Sequence, residues 1–133
     1  MKAALYSIAA GESEVAVAWA VAALQDAVGN SHAAVLFPAA APAAVVMLAV
    51  AGRWRAEARA QALVSLAEML ETEVLPGYDS YERGGVLVDV EQVMRGHVRN
   101  ALPLLRSITE DPQPWQHNRR LARSLIELIT DGA

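Results

Sequence analysis

The chain has 133 residues, which suits one domain over 1–133, and a formal net charge of −4 at pH 7. It contains no cysteine, which excludes disulfides and thiolate chemistry, and Lys2 is its only lysine, which excludes a lysine-dependent phosphate loop. Because the charge balance is acidic, we expect neither nucleic acid nor a membrane as a partner. The absence of cysteine favours a reducing compartment and the start of the chain lacks a convincing signal peptide, so we expect a cytoplasmic protein. Hydrophobic residues make up 54% of the chain and aromatic residues only 5%, so alanine, valine and leucine dominate, which predicts an all-α fold.

Two helices are predicted at the start of the chain. The first covers 2–10 and ends before Gly11, a usual stop residue. The second covers Glu14–Val28, with Ser13 as its N-cap. Its apolar residues recur at helical spacing and form one face: Val17, Ala20, Val21 and Leu24.

The next segment, 33–52, has the sequence AAVLFPAAAPAAVVMLAVAG and contains no charged residue. Its 20 residues are long enough to cross a bilayer as a helix. Alanine is only weakly apolar, however, and Pro38 and Pro42 would each leave a backbone carbonyl without a partner in lipid. We therefore predict an inner helix of a soluble protein over 38–50, covered by the second helix on one side and by a helix over 54–72 on the other.

The helix over 54–72 is amphipathic. Its apolar face consists of Leu63, Leu66, Ala67 and Leu70. The following segment, 73–88, is rich in proline and glycine and carries Tyr78 and Tyr81, which predicts a long, flexible surface loop. Loops of this length are either functional or mobile connectors, and both interpretations are open here.

Two further helical segments complete the chain. Asp89 and Gln92 are typical of a capping pair at the start of a helix over 90–110, which must bend at Pro103. The last helix covers 114–129, with Pro114 in its first turn. Helices with wide apolar faces and short links bury those faces by stacking in antiparallel pairs, so we predict a short α-solenoid of five to six helices.

Two segments resemble helical repeats of the HEAT type. In ALPLLRSITEDPQPWQHNRRLARSLIELI, a proline-bent helix, an aspartate-containing turn and a second helix that opens with arginine match the repeat. The matching positions are Pro103, Asp111 and Arg119 or Arg120. The upstream segment LQDAVGNSHAAVLFPAAAPAAVVMLAVA is similar to one found in bacterial HEAT-like proteins. That likeness is carried by His32, Phe37, Pro38 and Pro42.

The sequence contains no converging set of catalytic or metal-binding residues. His32, His97 and His117 are far apart and lack the spacing of a helical metal site. No serine lies in a nucleophile elbow. We therefore predict no catalytic residue, no metal and no cofactor.

The predicted partner-binding site combines two segments. Trp54, Arg55 and Arg59 bring together the residue types most enriched at binding hot spots, and Tyr78 and Tyr81 could join them if their loop folds back or orders on binding. The alternative is a solvated helix start, with Trp54 packed on the core.

A second cluster of arginines begins the last helix. It consists of Arg119, Arg120 and Arg123. These side chains either line a groove for another protein or form ion pairs with Glu127 or Asp111.

These features favour a non-enzymatic protein that works by binding another protein. The likeness to bacterial HEAT-like proteins implies one concrete version, an immunity protein that masks a toxin domain. The same likeness leaves open a HEAT-like enzyme of the DNA glycosylase or lyase type, or a stress-related or regulatory scaffold.

Overall fold

A computed structural model describes residues 2–9, 13–30, 35–36, 38–74, 80–112 and 115–131. This part of the chain is mostly helical. Its helices are α1 (Lys2–Ala9), α2 (Glu14–Val28), α3 (Ala40–Arg53), α4 (Glu57–Glu71), α5 (Val90–Asn100), α6 (Leu102–Glu110) and α7 (Gln116–Asp131). Its short strands are β1 (Gly29–Asn30), β2 (Val35–Leu36), β3 (Glu73–Val74), β4 (Ser80–Arg83) and β5 (Val86–Asp89).

Two of the predicted caps are confirmed. The Ser13 side chain accepts a hydrogen bond from the Ala16 amide at 3.3 Å, and the Asp89 carboxylate accepts one from the Gln92 amide at 2.9 Å. Each cap satisfies one of the amides that a helix start leaves without an internal partner.

The start of α4 is capped from another helix. Ala56 precedes α4 and has no side chain that could accept a hydrogen bond. The Glu14 carboxylate of α2 takes this role, because its Oε1 accepts from the amides of Ala56 at 2.8 Å and Ala58 at 3.2 Å. The negative charge of Glu14 is also stabilising here, because the N-terminus of α4 is the positive end of the helix dipole. The cap therefore ties α2 to α4 at one edge of the fold.

Helix α4 is the centre of the packing. It lies between α2 and α7 and also contacts α3 and α5, while α3 packs on α5 and α6 packs on α7. The three-stranded sheet orders β1, β2 and β3, so the ends of α2 and α4 lie beside the strand that precedes α3. Helix α3 therefore runs antiparallel to α2 and α4. The predicted faces of α2 and α4 are buried apart from Ala67, which is half-buried.

Most of the uncharged segment belongs to a core helix that is shorter than a membrane span. Helix α3 has 14 residues, which is about 21 Å at 1.5 Å per residue, against about 30 Å of hydrocarbon. Among the described residues, no helix combines the length and the apolar character that a bilayer crossing needs. One side of α3 stays open, where Val45 is 47% exposed, because α3 packs chiefly on α4 and α5 and only lightly on α2. The predicted cover by α2 is thus only partial.

The prediction of a loop over 73–88 is wrong for much of that segment. Strands β4 and β5 pair antiparallel as a hairpin, with Arg83 opposite Val86 at its closed end. Gly84 and Gly85 form the turn with φ of 60° and 80°, a left-handed conformation at both positions that glycine adopts without steric cost. Residues 75–79 lie outside the described residues.

The helix predicted over 90–110 is two helices. It breaks at Ala101, and Pro103 lies in the first turn of α6 rather than inside a bent helix. Proline has no amide hydrogen and is tolerated there, because amides in a first turn lack internal partners anyway. The last helix begins at Gln116 and ends at Asp131, two residues later at each end than predicted.

Candidate binding surfaces

Asp111 joins the end of α6 to the start of α4. Its carboxylate accepts two hydrogen bonds from Arg55, from Nη2 to Oδ1 at 2.8 Å and from Nε to Oδ2 at 3.2 Å. It also accepts one from Nη1 of Arg59 at 3.0 Å. These two arginines precede Asp111 by 56 and 52 residues, and the sequence did not identify them as its partners.

The two arginines differ sharply in exposure. The Arg59 side chain is 7% exposed, and its Nε donates to the Ala51 carbonyl at the end of α3 at 2.7 Å. The Arg55 side chain is 57% exposed. Arg59 therefore links α3, α4 and α6 in the interior and has little surface to offer a partner, while Arg55 remains accessible.

Trp54 follows α3 and is half-buried against the core, with the Arg53 guanidinium 5.4 Å from its ring centroid. Next to it, Asn118 of α7 is buried and its amide donates to the carbonyls of Arg55 and Ala56, each at 3.2 Å. The turn between α3 and α4 is thus fixed by contacts from α7. The position of Trp54 agrees with the alternative interpretation, in which this residue packs on the core.

The tyrosines do not join this cluster as far as the structure describes them. Tyr78 lies outside the described residues. Tyr81 is in β4 and lines a groove with Pro38 and Pro42 at the start of α3. Since Trp54 follows the other end of α3, about 21 Å away, the structure does not bring Tyr81 and Trp54 together.

The groove beside Tyr81 has a volume of about 750 Å³ and lies between the start of α3, α5 and the hairpin; we call it the hairpin groove. It is open to solvent. Its walls are mostly apolar, with three polar side chains. The lining residues are Pro38, Ala39, Pro42, Val45, Tyr81, Arg83, Val88, Val93 and His97.

The structure shows a further candidate surface that was not predicted from the sequence. Trp19 of α2 is 76% exposed although it lies in the middle of a helix. It borders a shallow concavity of about 230 Å³, which we call the α2 surface. The α2 surface consists of Val15, Ala18, Trp19, Ala22, Glu57 and Gln61. The spacing contained the signal, because Trp19 is two residues from buried Val17 and so about 200° around the helix from it.

The described residues contain no group of three or more histidine, aspartate or glutamate side chains that could hold a metal ion. His97 is half-buried in the hairpin groove, His117 is exposed, and His32 lies outside the described residues. No known family, curated protein or solved structure matches the chain.

Proposed function

We propose that this protein is a non-enzymatic binding protein that holds another protein against the α2 surface. The exposure of Trp19 is the observation that carries the proposal. Tryptophan is among the residues most enriched at binding hot spots, and a rigid helix presents it at little cost in conformational entropy.

The surroundings of Trp19 support this proposal. Val15 lies one turn earlier on α2 and is also exposed, so the two side chains form a continuous apolar patch. Glu57 and Gln61 of α4 border the patch with polar groups, which is the usual arrangement of an interface core and rim.

We propose further that the helices form a short α-solenoid. The contacts of α4 with α2 and α7, and of α3 with α5, support two parallel rows in which each helix contacts its neighbours in sequence and the next helix of its own row. If the rows are solenoid layers, α2 and α4 lie side by side in one of them. The α2 surface then lies along that row, in a concavity between α2 and α4.

An immunity role is the concrete version of this proposal. It rests on the likeness to bacterial HEAT-like proteins, the small size and the net charge of −4. An acidic protein of this kind would suit a basic toxin domain, because charge complementarity speeds association and fixes orientation.

The test compares three tagged full-length chains: wild type, Trp19→Ala and the control Leu87→Ser, which removes an exposed apolar side chain from the hairpin. Each is used for affinity capture from the native host, followed by quantitative mass spectrometry. We expect one protein to be captured by wild type and by Leu87→Ser but lost with Trp19→Ala. With that protein purified, the dissociation constant should rise by about 30-fold or more, which corresponds to about 2 kcal/mol.

Equal capture by wild type and Trp19→Ala would move the binding site away from α2. Absence of any protein that depends on Trp19, in a host where the chain is expressed, would contradict the proposed function.

A further inference from the structure

The hairpin groove is apolar and basic in a protein that is acidic as a whole. Among the described residues that line it, the ionisable side chains are Tyr81, Arg83 and His97, and none is acidic. The chain nevertheless has a net charge of −4. The groove therefore differs in charge from the average surface of the molecule.

The register of the hairpin explains how this difference arises. Side chains alternate between the two faces of a strand, and Tyr81 is paired with Val88 and Glu82 with Leu87. Tyr81 and Arg83 consequently share the face that lines the groove, while Glu82 lies on the opposite face. The hairpin thus separates its own basic and acidic side chains.

Arg83 is available to a ligand. Its side chain is exposed, and among the described residues it takes no part in the ion pairs of Arg55 and Arg59 with Asp111 or of Arg95 with Glu91. A guanidinium beside an apolar wall is complementary to a carboxylate, which it can bind through two parallel hydrogen bonds. His97 and Tyr81 add further hydrogen-bonding groups on the same lining.

The composition of the walls limits the rest of the ligand. An extended peptide would bring a backbone amide and carbonyl with every residue, and the lining offers only three polar side chains to satisfy them. An alkyl chain needs no such partners. The groove volume of about 750 Å³ lies within the range of about 300–1,000 Å³ that is common for small-molecule sites.

We propose that the hairpin groove binds a small apolar molecule that carries one carboxylate, such as a medium-chain aliphatic acid. The carboxylate lies against Arg83, and the apolar body lies on the wall formed by Val45, Val88 and Val93. This site shares no residue with the α2 surface and does not depend on the proposed protein partner.

The test is isothermal titration calorimetry of the full-length protein with three probes of equal chain length: octanoate, octan-1-ol and octylammonium. We expect octanoate to bind about five-fold more tightly than either of the others, because only octanoate matches both the apolar walls and the exposed Arg83.

Two variants locate the site, each with a matched control. Val45→Glu places a carboxylate in the groove and should abolish octanoate binding, whereas Ala49→Glu, one turn further along the exposed side of α3, should not. Arg83→Gln should weaken octanoate binding by about five-fold, a modest effect because Arg83 is exposed, while Arg106→Gln on α6 should leave it unchanged. Circular dichroism and thermal melting confirm that each variant is folded.

Equal affinity for the three probes would overturn the assignment of a carboxylate ligand. Octanoate binding that survives Val45→Glu would place the ligand outside the groove. Absence of octanoate binding to the folded wild type would contradict the proposal. None of these results depends on the Trp19 experiment, so each proposal can fail alone.

Discussion

Replacing Asp111 with alanine should destabilise the protein far more than replacing its exposed partner Arg55. The Asp111 carboxylate is 12% exposed and binds Arg59, whose side chain is 7% exposed. Without this carboxylate, the Arg59 guanidinium keeps its hydrogen bond to the Ala51 carbonyl, a neutral partner. Arg59 would then carry an uncompensated charge in the interior.

The magnitude follows from the exposure of each pair. Removing one partner of a buried ion pair costs about 3–5 kcal/mol, because the remaining charge stays desolvated. In the ion pair with Arg55, the arginine side chain is 57% exposed and screened by solvent, so this pair contributes about 0–1 kcal/mol to stability. We therefore expect Asp111→Ala to lower the free energy of unfolding by about 3 kcal/mol or more, and Arg55→Ala by less than about 1 kcal/mol.

Urea denaturation of the full-length chain measures both values, with Glu110→Ala as the control for loss of an exposed carboxylate at the neighbouring position. A double-mutant cycle with Arg59→Met and Asp111→Ala isolates the interaction between the two charges. Suppose that Asp111→Ala lowers the free energy of unfolding no more than Arg55→Ala or Glu110→Ala does. The ion pair of Arg59 with Asp111 then does not stabilise the contact between α4 and the end of α6, and the argument from burial is wrong.

Three further substitutions test other parts of the structure. Glu14→Ala removes the cap on the Ala56 and Ala58 amides and should cost about 1 kcal/mol in urea denaturation, whereas Glu14→Gln, which keeps an acceptor oxygen, should cost less. Leu66→Asp puts a charge at a fully buried position and should unfold or aggregate the chain, so a soluble variant with unchanged melting temperature would contradict the packing of α4. Trp19→Ala should change the free energy of unfolding by no more than about 0.5 kcal/mol, and a larger loss would show that Trp19 packs on the fold rather than facing solvent.

The helices of this protein could be predicted from the sequence because local spacing determines which face of a helix is buried. Val17, Val21 and Leu24 recur at helical spacing and are all buried on α2. The same spacing does not specify which helix covers that face. For this reason α2 was predicted to cover the uncharged helix α3, whereas the main neighbour of α2 is α4.

The hairpin was missed because its strands are short and mostly exposed. Val86 and Leu87 both face solvent, so β5 lacks the alternation of buried and exposed residues that indicates a half-buried strand. The remaining signal was the Gly84–Gly85 pair, which is typical of a two-residue hairpin turn but is equally common in loops. Choosing between these interpretations required the pairing of Tyr81 with Val88, which only the folded chain provides.

For the two arginines of the predicted site, Arg55 and Arg59, the sequence indicates burial only in part and does not indicate the acidic partner. Arg59 precedes Ala62, Leu63 and Leu66 by three, four and seven residues, so it lies on the buried stripe of α4 and its burial could have been predicted. Arg55 was inside the helix predicted over 54–72, but α4 begins only at Glu57, so helical spacing does not describe Arg55. A buried arginine needs an acidic partner, but nothing near Arg59 in the sequence identifies it, because Asp111 is 52 residues away. The acidic partner that allows Arg59 to be buried is therefore identified only once Asp111, the residue after α6, is placed beside the start of α4.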